Sequence, residues 1–91
     1  MPVTIHLPSV LAPLAGGART LAAAGSTVGE AVTDVSQRFP ALAGRLRDAE
    51  GQPYPFVSFY LNDEDIRHGG GFDLAVRDGD ELVVVPSVAG G

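Results

Sequence analysis

The strongest structural signal in this 91-residue chain is one amphipathic helix with a defined start and a defined end. Thr27 and Glu30 stand three residues apart, the spacing of a capping box, and Ser26 is an equally good candidate for the N-cap. Pro40 predicts the end of the helix, because the residue before a proline is disfavoured in the α region. Between these points the apolar side chains recur at helical spacing and share one face: Val28, Ala31, Val32, Val35 and Phe39.

Segments of alternating apolar and polar residues on both sides of this helix predict β-strands. The tight-turn signal Asp78-Gly79-Asp80 predicts the start of the last strand. Leu42 and Leu46 predict a short second turn of helix. One main helix covers one face of a sheet, so we expect a two-layer α+β fold with four or five strands and a second face left to solvent or a partner. The predicted strands are Val3–Leu7, a weaker one near Arg19–Ala24, Phe56–Leu61, a short return around Asp65–Arg67, and Glu81–Val85.

Composition narrows the classes of function. The chain has no cysteine, which excludes disulfides, thiolate metal sites and a catalytic thiol. Its net charge of −5 would repel nucleic acid and anionic membranes, so neither is an expected partner. No apolar run approaches the roughly 20 residues of a membrane helix, and the first ten residues do not resemble a signal peptide. We therefore expect a cytoplasmic protein.

Several motifs that carry chemistry in other proteins are weak here. Asp63-Glu64-Asp65 lacks the spaced oxygen ligands of a calcium loop and is expected to be a solvated turn. His6 and His68 have no companion ligands nearby in the sequence, so no metal site is expected. Gly69-Gly70-Gly71 lacks a phosphate-loop pattern and is interpreted as a flexible loop. The sequence offers no constellation for an active site of its own.

Two features favour a functional interpretation. If Leu82 points to the core, Val83 and Val85 point to the open face of the sheet, near Tyr60 and Phe56, which predicts an apolar partner-docking surface. The alternative is that a switch of face along the strand, or a covering loop, buries these four side chains. The second feature is the C-terminal segment 86–91, which follows an expected domain of residues 1–85 as a flexible tail.

This tail can reach roughly 20 Å when extended. Gly90 and Gly91 remove side-chain bulk where a backbone would enter a narrow channel. A frayed terminus also often ends in glycine, so the two glycines indicate a function only in combination with the strand that precedes the tail. The residues expected inside a partner's channel are Pro86, Ser87, Val88 and Ala89.

The segment from Asp78 to Gly91 resembles the C-terminal signature of the ThiS/MoaD family of ubiquitin-like sulfur carriers. Tyr60-Leu61-Asn62 is similar to the third strand of that family, and the order of elements is similar to its β-grasp fold. The resemblance covers the whole chain and is greatest to the CysO type, on Met1–Leu7, Phe56–Arg67 and the terminal residues.

The resemblance implies a carrier that is acted on by enzymes and is not itself an enzyme. Its expected site is the Gly91 carboxylate, which an E1-like adenylyltransferase/sulfurtransferase would activate with Mg·ATP and convert to a thiocarboxylate, with no cofactor bound to the carrier. The expected sulfur acceptor is a synthase of cysteine, thiazole or thiosugar type. The alternatives are a MoaD-type subunit of molybdopterin synthase and a β-grasp interaction module that never reacts.

Overall fold

The computed structural model describes residues 2–86, and these form a five-stranded mixed sheet with helices packed on one face. The helices are α1 (Val28–Arg38) and α2 (Pro40–Leu46). The strands are β1 (Val3–His6), β2 (Thr20–Ala23), β3 (Val57–Leu61), β4 (Glu64–Asp65) and β5 (Glu81–Pro86).

The strand order across the sheet is β2-β1-β5-β3-β4, so the last strand of the chain lies in the centre. β5 runs parallel to β1, with Ile5 opposite Leu82, and antiparallel to β3, with Phe59 opposite Val84. β1–β2 and β3–β4 are antiparallel pairs. Parallel neighbours need a long crossover connection, whereas antiparallel neighbours can be joined by a short hairpin. The predicted α+β, β-grasp arrangement is confirmed.

The core lies between α1 and the inner face of the sheet. Ile5, Phe59 and Leu82 alternate with exposed or half-buried neighbours along their strands and are almost fully buried. From the helical layer the predicted stripe is buried as expected, except that Phe39 is only partly buried at the junction of the two helices. The helical side chains with no solvent exposure are Val28, Ala31, Val32, Val35, Leu42 and Leu46.

The hydrogen bonds at the start of α1 show which of its two candidate residues is the N-cap. The Thr27 hydroxyl accepts a hydrogen bond from the Glu30 N–H (3.1 Å), so Thr27 is the N-cap. The Glu30 carboxylate accepts in return from the N–H of Ser26 (2.7 Å), one residue before the cap. The first bond satisfies an N–H group that the helix leaves without an intrahelical partner, and the second ties the residue before the cap to the first turn.

Three predicted segments differ from the structure. The glycine run is not an irregular loop, because Ile66–Gly69 and Gly71–Asp73 form consecutive 3₁₀ turns joined at Gly70, whose φ is 104°. The predicted second helical turn is a seven-residue helix, since Pro40 is favourable in the first turn of a new helix although it cannot continue the old one. Pro86, assigned from sequence to the tail, is the last residue of β5 and lies opposite Val57.

The outer edge of β2 is covered by side chains from α1. Arg38 donates a hydrogen bond to the carbonyl oxygen of Ala22, and Asp34 accepts one from the N–H of Ala24 (2.9 Å). Asp34 and Arg38 also bond each other (3.2 Å). These contacts occupy backbone groups that would otherwise attract another strand.

Candidate functional site: the open sheet face and the end of β5

The predicted docking residues lie on or beside the face of the sheet that faces away from the helices. Val83 stands opposite Tyr60 of β3 and opposite His6 of β1, and all three are half-buried. Val85 stands opposite Ser58 and is 38% exposed. Val84 between them is 2% exposed and belongs to the core. The alternation predicted for β5 is therefore present, and no loop among residues 2–86 buries Val85.

Phe56 differs from its predicted position. It precedes β3, which begins at Val57, and therefore lies in the turn before the strand. Its side chain is 51% exposed, and its ring packs edge-to-face against Tyr54 with centroids 5.4 Å apart. Because Val57 lies opposite Pro86, Phe56 is at the same end of the sheet as Val85. The structure brings Phe56 near the end of β5, but not into the ladder.

Polar and charged side chains border the apolar centre of this face. His6 Nε2 and Glu81 Oε1 lie 2.7 Å apart, linking β1 to the start of β5. Asp65, opposite Tyr60, accepts hydrogen bonds from the side chain and from the backbone N–H of Arg67. These bonds lower the pKa of Asp65 to about 2, because they stabilise its charged form. The face is thus an apolar centre with a charged border.

The start of β5 is fixed by a network that sequence analysis missed. Asn62 donates through its side-chain amide to Asp80 (3.0 Å) and accepts from the N–H of Glu81 (3.0 Å). The backbone N–H of Asn62 also donates to the carbonyl oxygen of Glu81 (2.9 Å). Asn62 and Asp63 have φ values of 49° and 73°, as a two-residue hairpin turn of the I′ type requires. The sequence signal was the Asn-Asp pair, but its contact with β5 is tertiary.

The same network changes the acidity of Asp80. The hydrogen bond from Asn62 and the bond from the backbone N–H of Arg77 (2.8 Å) lower the pKa of Asp80 below its ordinary value. Asp80 therefore stays ionised and anchors the turn that begins the strand. This anchoring fixes the register of β5, and with it the position at which the strand ends at Pro86.

The residues expected to react lie beyond the described strand. Pro86, the first residue of the predicted tail, is exposed at the end of β5. Ser87, Val88, Ala89, Gly90 and Gly91 lie outside the described residues. Their predicted roles in a partner's channel and at an activated carboxylate stay predictions.

Residues 2–86 contain no group of three His, Asp or Glu side chains placed to hold a metal ion. Asp63 lies in the turn, whereas Glu64 and Asp65 form β4, so the acidic run does not converge on one point. A cleft of about 400 Å³ lies on the helical side, where Arg47 donates to Thr33 (2.8 Å). No helix in this described part is long and apolar enough to cross a membrane.

The five-stranded mixed sheet with helices on one face places the chain in the class of ubiquitin-like β-grasp proteins. A family model described as the ThiS family matches residues 5–91, and the chain belongs to that family. The chain is 39% identical to the sulfur carrier protein CysO of Mycobacterium tuberculosis strain H37Rv, with 100% of both chains covered. This agrees with the sequence-based recognition of the family and of its CysO type.

Solved structures support the same assignment. The chain is similar, with a TM-score of 0.89 and 40% identity, to a chain in the crystal structure of the Amycolatopsis orientalis BexX/CysO complex, covering 98% of this chain and 99% of that one. It also resembles the small archaeal modifier protein SAMP1 of Haloferax volcanii, with a TM-score of 0.81, 30% identity and 100% of both chains covered. The names of the CysO relatives agree with the prediction that this chain is a carrier and not an enzyme.

Proposed function

We propose that this protein is a cytoplasmic sulfur carrier whose working group is the C-terminal carboxylate of Gly91. The observation that supports it most is the course of β5. A central strand, held on both sides by β1 and β3, ends at the exposed Pro86, with Val85 exposed beside it. Gly90 and Gly91 follow four and five residues further on in the sequence. A rigid strand that leads into a segment without bulky side chains suits delivery of a chain end into a narrow site.

The reaction has two steps, both carried out in a partner enzyme. In the first step, a Gly91 carboxylate oxygen attacks the α-phosphorus of Mg·ATP, and pyrophosphate leaves to give an acyl-adenylate. In the second, a sulfur nucleophile attacks the carbonyl carbon and AMP leaves, so that one carboxylate oxygen departs with AMP and sulfur takes its place. With hydrosulfide (HS⁻) as the formal donor, the products are the thiocarboxylate, AMP and one proton. The partner is an E1-like adenylyltransferase/sulfurtransferase.

The chain itself supplies no thiol for this chemistry, because it contains no cysteine. The sulfur must therefore be carried on the backbone terminus. A thiocarboxylate is anionic at neutral pH and nucleophilic through sulfur, so it can attack an electrophile held by a second enzyme.

The similarity to CysO favours an activated serine derivative in cysteine synthesis as the acceptor. Thiazole-forming and thiosugar-forming synthases, or molybdopterin synthase, are acceptors of the same chemical type. They are distinguished by presenting the thiocarboxylate form to each synthase with its electrophilic substrate and following which one consumes the sulfur.

Intact-mass spectrometry tests the proposal. The full chain is incubated with an E1-like enzyme, Mg·ATP and sulfide, and a carrier known to react with that enzyme serves as the positive control. We expect replacement of one oxygen by sulfur, located at Gly91 by fragmentation. A chain lacking Gly91, and the variant Gly90→Ala with its added methyl group, should lose the conversion while retaining the circular dichroism spectrum of the wild type.

Two outcomes contradict the proposal. If the control carrier reacts and this chain does not, it is a β-grasp interaction module that never reacts. If the chain lacking Gly91 is converted as rapidly as the wild type, the terminal glycine is not the site.

A further inference from the structure

The second helix lies at the end of the sheet where β5 terminates. β1 runs parallel to β5, so the 3₁₀ turn that follows β1, Ala12–Ala15, lies at that end, and α2 contacts it. The last turn of α2 reaches the segment that precedes β3, because the N–H of Tyr54 donates to the carbonyl oxygen of Leu46 (3.0 Å). Since β1 and β3 flank β5, α2 is close to the point at which β5 ends.

A cleft of about 480 Å³ opens between α2 and the loop that follows it. Its wall is mostly apolar, with small side chains at Ala43 and Ala49 and the half-buried Tyr54. Gly44 leaves further room, because a Cβ built there meets no neighbouring atom within 4 Å. The cleft can therefore receive a narrow, uncharged stretch of chain.

Arg47 lines this cleft and has no ionic partner in the described part of the chain. One of its Nη atoms donates to the Thr33 hydroxyl (2.8 Å), but no described carboxylate lies within 4.0 Å of its guanidinium. A guanidinium carries five N–H donors in a planar fork that fits a carboxylate. Asp48, in the same cleft, is engaged by its own loop, since one carboxylate oxygen accepts from the N–H groups of Glu50 (2.9 Å) and Gln52 (3.0 Å). Arg47 therefore keeps donors available for another anion.

The terminal carboxylate is an anion that can reach this cleft. Pro86 stands opposite Val57, and paired residues of antiparallel strands have Cα atoms about 5 Å apart. The N–H of Val57 donates to the carbonyl oxygen of Tyr54 (3.2 Å), a turn that keeps these two Cα atoms within about 7 Å. Tyr54 is thus at most roughly 12 Å from Pro86. Five residues follow Pro86 and span up to about 17 Å, so Gly91 can pass Tyr54 and meet Arg47.

We propose that residues 87–91 return to this cleft in the free carrier, with the Gly91 carboxylate on Arg47 and the uncharged residues before it against Gly44 and Tyr54. This return contact rests on the proposed function, since the group that it holds is the one that reacts. A thiocarboxylate carries the same single negative charge and is held in the same way. Each partner must then displace the tail from the cleft before the tail enters the partner's channel.

A weak contact is sufficient because both groups belong to one chain. Short flexible linkers give an effective concentration in the millimolar range, so a contact with a dissociation constant of about 1 mM is formed roughly half of the time. The affinity of a partner that binds only the released tail is reduced by the released fraction. If the tail occupies the cleft between about half and about four-fifths of the time, loss of the contact raises kcat/KM for activation about two- to fivefold.

Nuclear magnetic resonance tests the contact on the full chain without any enzyme. The chain is compared with a form whose terminal carboxylate has been converted to an amide, which removes only that charge. We expect the Nε–H signal of Arg47 and the backbone amide signals of Gly44 and Tyr54 to shift, whereas that of Arg77, in the turn before β5, does not. In Gly44→Asp, which adds a like charge to the cleft, amidation should no longer shift the Arg47 signal. Ala41→Asp adds the same charge at an exposed position of α2 outside the cleft and should keep the shift.

Steady-state kinetics of pyrophosphate release measure the consequence, with the full chain as the varied substrate of an E1-like enzyme. Gly44→Asp and Arg47→Gln should raise kcat/KM about two- to fivefold, and Ala41→Asp should leave it unchanged. Circular dichroism checks that the three variants fold. If the wild type is active and neither cleft variant raises kcat/KM, the claim that a partner must displace the tail is wrong.

The two experiments separate this proposal from the proposed function. If amidation shifts no signal of the cleft, the tail does not return, whatever the enzyme assay shows. If the shifts grow with protein concentration, the tail of a second copy occupies the cleft, and the proposal is also wrong. If the shifts are present at every concentration but the wild type releases no pyrophosphate while a control carrier does, the return contact stands and the proposed function fails.

Discussion

Neighbouring valines of β5 provide a direct comparison of core and surface. Val84 is 2% exposed and Val85 38% exposed, although they share one strand, one residue type and nearly one backbone conformation. Val84→Ala removes two methyl groups from the core, at about 0.8 kcal/mol each, and leaves a cavity whose cost brings the total to about 2–3 kcal/mol. Val85→Ala should cost less than about 1 kcal/mol, since much of its side chain already contacts water.

The lower strand propensity of alanine affects both variants and largely cancels in the comparison. For a domain of this size, each kcal/mol shifts the melting temperature by about 4–8 °C, so Val84→Ala should melt about 8–24 °C below the wild type. Urea and thermal unfolding followed by far-ultraviolet circular dichroism measure both, since the chain has no tryptophan. Equal losses would refute the reasoning, because Val85 would then be packed as deeply as Val84. Val85→Asp should reduce activation by the partner more than it reduces stability.

Three further predictions concern local structure. Asn62→Gly keeps the positive φ of the turn and removes the side-chain bond to Asp80, so the pKa of Asp80 should rise toward its ordinary value in an NMR titration. A lowered carboxyl pKa stabilises the fold at pH values above the ordinary carboxyl pKa, and this stabilisation is lost as the pH falls through the lowered value. Asn62→Gly should therefore lose less stability on acidification than the wild type, and an unchanged Asp80 pKa would contradict this. Thr27→Ala should cost about 1 kcal/mol in urea unfolding through loss of the α1 cap, and a neutral result would show that the cap is dispensable. Gly25→Ala places Cβ 2.7 Å from the Glu30 Cβ at a φ of 152° and should cost about 2–4 kcal/mol, whereas Gly44→Ala, in a helix with open space, should stabilise by about 0.5–1 kcal/mol; equal effects would contradict both.

Local patterns predicted most of the elements. In α1, β1 and β5 one face is buried, so their apolar residues recur with the period of a helix or of a strand. That period can be read from the sequence alone. The glycine run was predicted wrongly because glycine permits many backbone conformations, and the 3₁₀ turns depend on contacts such as the approach of Gly69 to Leu74. Phe56 was placed in β3 because alternation continues beyond the last residue that finds a hydrogen-bonding partner.

The candidate site shows the same division. Val83, Val85 and Tyr60 were found from alternation alone, since a strand with one buried face must present the other. The Asn62 network was missed because its partners lie 18 and 19 residues away in sequence.

The sequence by itself determined the two-layer α+β class, the main helix, the two sides of β5 and the family, because these depend on residue spacing and on motifs within short segments. Only the tertiary structure decided that β5 lies in the centre between β1 and β3, and that Phe56 lies beside the end of β5 and outside β3. The physical reason is that strand order and direction arise from pairing between distant segments. Such pairing is stabilised by the hydrophobic burial of the whole sheet, so the pattern within one segment does not specify which strand it pairs with.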